Sequence, residues 1–348
     1  MFYWYCRVYQ GAFRIVSRML PWRQPELLEG EKSLSKLPAL IKSKGISSVL
    51  IVTDKQISSL GLMIPLLEGL QQEKIDYIIY DKTVPNPTIA NIEEALILYK
   101  NSNSKGIIAL GGGSAIDCAK GVGAREARPN KTIPQMRGEL KIRRPILPLF
   151  AVPTTAGTGS EATVVSVVSD SATLEKYAIN DMSLIPQYAV LDPLITVNLP
   201  PHLTATTGMD ALTHAVEAYI GKSNTEETEQ YAKEAVKLIF ENLYEAYSNG
   251  ENIIARTNMQ KAAYLAGLAF TRAYVGYVHA IAHTLGGFYS VPHGLANAII
   301  MPYVLDYYGE AAHQCLAELA DVIDLGENED TMEQKAGREI IGTYSHHY

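Results

Sequence analysis

The chain has 348 residues, 47% hydrophobic, 19% charged and 8% aromatic, proportions that exclude intrinsic disorder and collagen-like repetition. Lys plus Arg number 30 against 37 for Asp plus Glu, a formal charge of −7, so no basic field is offered to nucleic acid. At about 100–200 residues per domain the length allows two domains, each able to bury its own core.

The opening segment, MFYWYCRVYQGAFRIVSRMLPW, is apolar, but Arg7, Arg14 and Arg18 interrupt it before a signal-peptide core can form. It holds both tryptophans, Trp4 and Trp22, beside Phe2, Tyr3, Tyr5, Tyr9 and Phe13, which must pack on their own domain or on a second copy. Cys6, Cys118 and Cys315 are far apart and in no CxxC pair. A disulfide framework or thiolate zinc knuckle is thus not expected, and a reducing cytoplasm is. No segment reads as a membrane span, and the uncharged run Pro145–Ser160 is rich in Pro, Thr and Gly.

Ser48–Thr53 reads as a buried strand, Leu60–Gln72 as a helix, Asp76–Tyr80 as a strand, Ile89–Asn101 as a helix and Gly106–Leu110 as a strand running into glycines. That alternation predicts a parallel, Rossmann-like sheet with right-handed crossovers. Pro145–Val152, Thr163–Ser169 and Tyr188–Leu191 are further strand candidates. From Leu203 onward apolar residues recur at helical spacing, as in Ala211, Ala215 and Ala218 or Ala232, Val236, Ile239 and Leu243. The stiff link DPLITVNLPP marks the change. The expected organisation is an α/β dinucleotide-binding domain over residues 1–192 and an all-α metal-binding domain over residues 193–348.

Three constellations carry chemistry. Gly111-Gly112-Gly113-Ser114-Ala115-Ile116-Asp117 follows the third strand and opens a helix. Glycines let backbone approach a pyrophosphate, and a helix start supplies free N–H donors. Ser114 and Asp117 have capping-box spacing. A glycine turn before a structural helix fits the same residues, since neither GxGxxG nor a P-loop is complete. Val152-Pro153-Thr154-Thr155-Ala156-Gly157-Thr158-Gly159-Ser160-Glu161 offers small hydroxyl residues that can line a phosphate and ribose groove, or merely form a loop. Asp210 and His214 stand four apart on one helix, as do His279 and His283 on another, followed by Pro292-His293-Gly294. Each pair shares a helical face, so Asp210, His214, His279, His283 and His293 can join around one ion. His313, His346 and His347 lack such company and read as solvent-facing, and His202 as a turn residue.

Together GGGSAIDCAK, VPTTAGTGSE, GMDALTHAVEAYI and VHAIAHTLGGFYSVPHGLANA resemble the iron-containing (group III) alcohol dehydrogenase family across roughly residues 30–325. The resemblance implies a dehydroquinate synthase-like architecture with the active site between the two domains. It implies Asp210, His214, His279 and His293 as metal ligands and His283 as a non-ligand histidine beside the nicotinamide, for proton relay or positioning. Asp54, Asn86, Gly111, Gly112, Gly113, Ser114, Asp117, Thr154, Thr155, Thr158 and Lys176 fall on cofactor positions. Asp54, matching the acid at the adenine ribose, favours NAD over NADP by accepting from a 2′-hydroxyl and repelling a 2′-phosphate. The donor set suits Fe²⁺, with Zn²⁺ as the alternative. The expected reaction moves hydride between NAD and a small primary alcohol or diol, or the aldehyde. A glycerol dehydrogenase or dehydroquinate synthase type of enzyme and a catalytically impaired nucleotide-binding protein are the alternatives. Family members usually continue through further helices where this chain ends in IGTYSHHY, so its helical domain is expected to be shortened. No membrane partner is expected, and a homodimer or higher homo-oligomer is.

Overall fold

The computed structural model describes residues 20–325, apart from 174 and 290, together with Trp4, Val8 and Gly11. Phe2, Tyr3, Tyr5, Cys6, Tyr9, Phe13, His346 and His347 lie outside the described residues.

Six strands make one parallel sheet: β1 (Glu26–Glu29), β2 (Ser48–Val52), β3 (Asp76–Tyr80), β4 (Gly106–Gly111), β6 (Leu149–Pro153) and β9 (Tyr188–Leu191), in the order β1-β9-β6-β4-β2-β3. Successive strand side chains point to opposite faces, which divides the core in two. Leu50, Val52, Ile107 and Ala109 pack on one face with Ile92, Leu96, Ile116 and Val122. Val49, Ile51, Ile108 and Leu110 pack on the other with Leu37, Ile41, Leu66 and Leu70. The covering helices are α1 (Ser33–Ser43), α2 (Lys55–Ser59), α3 (Ile64–Gln72), α4 (Ile89–Asn101) and α5 (Gly113–Ala127). Burial on both faces is why these strands read as continuous apolar runs. α4 starts where its sequence says, because Thr88 and Asn91 form a reciprocal capping box.

Several expectations are corrected. Leu60–Gln72 is not one helix: the chain turns at Gly61, whose φ is +72°, and α3 restarts at Ile64 with proline in its first turn. The strand expected at Thr163–Ser169 is β7 (Val165–Asp170), which leaves the main sheet. It pairs antiparallel with β8 (Glu175–Asn180), which in turn pairs with β5 (Gly138–Glu139). β1, short with exposed glutamates, and β8, with mixed charges, lack the β-branched runs that betray buried strands.

Every element described after Pro200 is helical: α6 (Pro201–Ile220), α7 (Glu226–Ser248), α8 (Ile253–Ala273), α9 (Tyr277–Tyr289), α10 (His293–Tyr308) and α11 (Glu310–Val322). α6 runs through the middle, packed by α7, α8 and α10, with Ala211, Leu212, Ala215 and Val216 buried. His202 is no turn residue; Pro200 and Pro201 start α6 one step earlier and place it in the first turn. His313 is half-buried on α11 rather than solvent-facing. Trp4 is exposed, whereas Trp22 packs its indole against the Arg272 guanidinium, 5.7 Å away. The uncharged stretch 273–305 is divided between α9 and α10, and no described helix is long and apolar enough to cross a membrane. The helices join the sheet layer where Val164 N donates to Thr271 Oγ1 at 3.0 Å and Gln260 Nε2 to the Pro153 carbonyl at 3.4 Å.

Candidate active site

β2 and β4 are neighbours, and the chain leaves them in opposite directions, toward β3 and toward β6. Such a switch point opens a crevice beyond the carboxyl ends of the strands. Asp54 follows β2 there and Gly112 follows β4. Gly112 is the N-cap of α5 and no side chain caps the helix, so its first N–H groups remain available to an anion. The expected Ser114–Asp117 capping box does not form, because α5 begins at Gly113 and Ser114 already lies inside the first turn. Ser114 Oγ accepts from Asn86 N at 3.1 Å, and Asn86 Oδ1 accepts from Lys176 Nζ at 2.6 Å. Thr155 and Thr158 stand against Gly112 and Gly113, and Thr154 N donates to the Gly111 carbonyl at 3.0 Å. Asp54 Oδ1 accepts from Ile57 N at 2.9 Å, capping α2.

The Asp117 carboxylate is taken up by the protein. Its oxygens accept from Ser160 Oγ at 2.7 Å and Val167 N at 3.0 Å. One turn on, the fully buried Lys120 donates to the Val165 and Thr163 carbonyls at 2.7 and 2.9 Å and to the Thr163 and Ser160 hydroxyls at 3.0 and 3.2 Å. Burial pushes its ammonium down to about 8. These contacts bind α5 to the Thr-rich loop and β7. Lys120 was not among the residues singled out from sequence. Cys118 beside it is fully buried in the core, its thiol pushed up to about 12 by burial.

Across the cleft, α6 presents Asp210, His214 and Glu217 at helical spacing, α9 presents His279 and His283, and α10 opens with His293. Ligand atoms of Asp210, His279 and His293 all lie within 4.8 Å of one another. Nε2 of His293 and of His279 are 3.5 and 3.8 Å from Asp210 Oδ1. Donors at 2.0–2.1 Å on a tetrahedral ion stand roughly 3.4 Å apart, so the spacing fits a transition metal. The Asn297 amide nitrogen donates to Asp210 Oδ1 at 2.7 Å and lies 3.3 Å from both Nε2 atoms. The positive end of an amide dipole thus stands where those lone pairs converge. Backbone contact permits the convergence: a Cβ on Gly294 would meet the Thr206 carbonyl of α6 at 2.1 Å.

His214 is not in that group of three. Its ring stacks between Phe270 at 4.1 Å and His279 at 4.4 Å. His283 stands edge-on to His293, with ring centroids 4.9 Å apart. Burial pushes the imidazoles of His214 and His283 down to about 3 and that of His293 to about 4, so all three are neutral at pH 7. For Asp210 burial acts in the opposite sense, and the surrounding imidazoles and the Asn297 amide outweigh it, holding the carboxyl near 2. Glu217 and Asn297 were not expected from sequence. The available signal was spacing, since Glu217 lies seven residues after Asp210 and Asn297 four after His293.

One cavity of about 1150 Å³ takes in both sides. It is lined by Asp54, Asn86, Gly112, Gly113, Ser114, Asp117, Thr154, Thr155, Thr158 and Lys176 and by Asp210, His214, His279, His283 and His293; Gly111 stands behind it. The volume exceeds the ~300–1,000 Å³ of an ordinary small-molecule site, leaving room for a dinucleotide with a small co-substrate. Tyr274 lines the same cavity, whereas Tyr277, Phe288 and Tyr289 are exposed on the outer surface.

The crevice at the sheet's switch point and a side-chain group spaced for a metal ion open into one cavity, the arrangement of an enzyme that can hold a nucleotide and a metal together. Over residues 25–193 the sequence matches the iron-containing alcohol dehydrogenase family, and over residues 204–341 the C-terminal family of Fe-containing alcohol dehydrogenases. The chain belongs to the iron-containing alcohol dehydrogenase family. It is 44% identical to alcohol dehydrogenase 4 of Saccharomyces cerevisiae over 286 residues, 82% of this chain and 74% of that protein. It is 36% identical to the NAD-dependent methanol dehydrogenase of Bacillus methanolicus over 315 residues, 90% of this chain and 82% of that one. The crystal structure of a 1,3-propanediol oxidoreductase superposes with a TM-score of 0.90 at 36% identity, covering 93% of this chain and 85% of the other. The activity is that of an alcohol dehydrogenase of the iron-containing family.

Proposed function

We propose that the chain interconverts small primary alcohols or diols with their aldehydes, using NAD and an iron ion held by Asp210, His279 and His293, with His214 as the fourth ligand. The observation that carries this reading is the convergence of Asp210, His279 and His293 on one point of the cavity that also exposes the start of α5. When bound, Fe²⁺, or Zn²⁺ in its place, supplies Lewis acidity at the substrate oxygen. The donor set is one carboxylate and imidazoles kept neutral by burial, which leaves their lone pairs free. His214, buried with its ring stacked on that of His279, is taken as the further donor.

On the nucleotide side, the uncapped first turn of α5 receives the pyrophosphate, with Gly112 and Gly113 allowing close approach and Thr155 and Thr158 forming the opposite wall. Asn86 and Lys176, hydrogen-bonded to each other, border the same groove, and Asp117 holds its shape. Asp54 keeps one oxygen on its helix cap and lines the cavity, supporting NAD over NADP. His283 lines the cavity as a neutral imidazole, able to pass a proton between substrate and solvent or to position the nicotinamide. We assign nucleotide binding to residues 1–192 and the metal centre to residues 193–348, and take the protein to be a cytoplasmic homo-oligomer, in keeping with the scattered cysteines.

The test is His279→Ala, purified anaerobically beside the parent. Metal content and alcohol-dependent NADH formation should be lost while NAD binding by calorimetry stays within about twofold. Parent-level turnover in that variant would remove the ligand assignment.

A further inference from the structure

Behind His279, on the side away from the cavity, stands a carboxylate to which the reaction gives no role. Glu217 lies one turn beyond His214 on α6 and is 4% exposed. Its Oε2 is 2.6 Å from Nδ1 of His279 and accepts from Gly276 N at 2.9 Å, while Oε1 accepts from Val278 N at 2.7 Å. Among the described residues no Lys or Arg pairs with it. The approach requires glycine at 276, where a Cβ would stand 2.7 Å from Oε1.

We propose that Glu217 is a positioning residue of the metal centre: it fixes His279 as the Nδ1–H tautomer and anchors the link into α9, so that Nε2 offers its lone pair toward Asp210 and His293. This rests on the metal-centre reading above. A neutral imidazole has one N–H and one lone pair. Both oxygens already accept from main-chain N–H groups, so Nδ1 at 2.6 Å faces a group placed as an acceptor. The ring proton therefore sits on Nδ1, and the free lone pair is on Nε2. Because the same two oxygens hold Gly276 and Val278, ring orientation and helix start are set by one side chain.

Glu217→Gln is close to isosteric but brings an amide NH₂ to face three donors. Placed at the Oε2 position, that NH₂ gives a hydrogen to Nδ1 of His279 and shifts the ring proton to Nε2, removing the ligand lone pair. Zn²⁺ titration of the metal-free protein should show affinity falling 10–100-fold, the range typical for lost outer partners. NAD binding should be unchanged. Glu217→Asp, which keeps the charge and shortens the reach, should fall between. Imidazole ¹⁵N chemical shifts in the parent, independent of any variant's folding, should show His279 protonated at Nδ1. Protonation at Nε2 in the metal-free parent overturns the proposal, as does parent-level Zn²⁺ affinity in Glu217→Gln. His279→Ala separates the two readings: if it too binds Zn²⁺ as tightly as the parent, the metal centre is misplaced, and if it alone loses the ion, the centre stands and only the role of Glu217 falls.

Discussion

On the sheet side of the cleft the groups facing the cavity are mostly main-chain N–H donors, glycines and short hydroxyl side chains, bordered by Asp54, Asn86 and Lys176 and held by a helix start and by buttresses such as Asp117 and Lys120. On the helical side they are imidazoles and a carboxylate: Asp210, His214 and His279 are buried, His283 and His293 half-buried, and Asp210 is braced by Asn297 and His279 by Glu217. A backbone cradle shares its work among many weak donors, so losing one is graded. A cation cluster depends on a few atoms converging, so losing one is close to all-or-none.

Four measurements test that contrast, in falling order of effect. Asp210→Ala removes the only carboxylate of the cluster; bound metal should disappear and NADH formation should fall about a thousandfold or more, with NAD affinity retained. Gly113→Ala places a Cβ 2.8 Å from the Thr158 side chain; overpacking of about 1–3 kcal/mol should weaken NAD binding roughly tenfold while metal content stays at parent level. If that variant lost its metal as well, the two walls would not be separable. Asp54→Asn keeps a helix-capping oxygen and removes the charge, so the preference for NAD over NADP should shrink several-fold in kcat/KM with kcat for NAD little changed.

The smallest effect is on stability. Burial lowers His214, His283 and His293 below their ordinary value of 6.5, to about 3, 3 and 4. The unfolded chain therefore binds more protons than the folded one below about pH 6.5. Their neutral burial is fully compatible with folding above that value and is penalised progressively as the pH falls. Thermal melting of the metal-free protein should shift to lower temperature between pH 7 and pH 5, and His283→Asn should flatten that slope. An unchanged midpoint would show that these rings are open to solvent.

Much of the fold was legible because its signals are local. Asp76–Tyr80 and Ile89–Asn101 stand where an apolar run and helical periodicity put them. The break at Gly61 and the departure of β7 into a second sheet were not, since a positive φ and a choice of strand partner depend on what the rest of the chain offers.

For the site, periodicity alone placed Asp210 with His214, and His279 with His283, because four residues of helix return to one face. It could not say which of five candidate groups converge. That was decided by α6, α9 and α10 packing closely enough to bring Nε2 of His293 and His279 within 3.5 and 3.8 Å of Asp210, while His214 stacks alongside. Nor could it distinguish Glu217 and Asn297 from ordinary polar helix residues, since their significance lies in partners 62 and 87 positions away in the chain. Helical spacing is a property of a dozen neighbouring residues, whereas convergence on one point belongs to the packed whole.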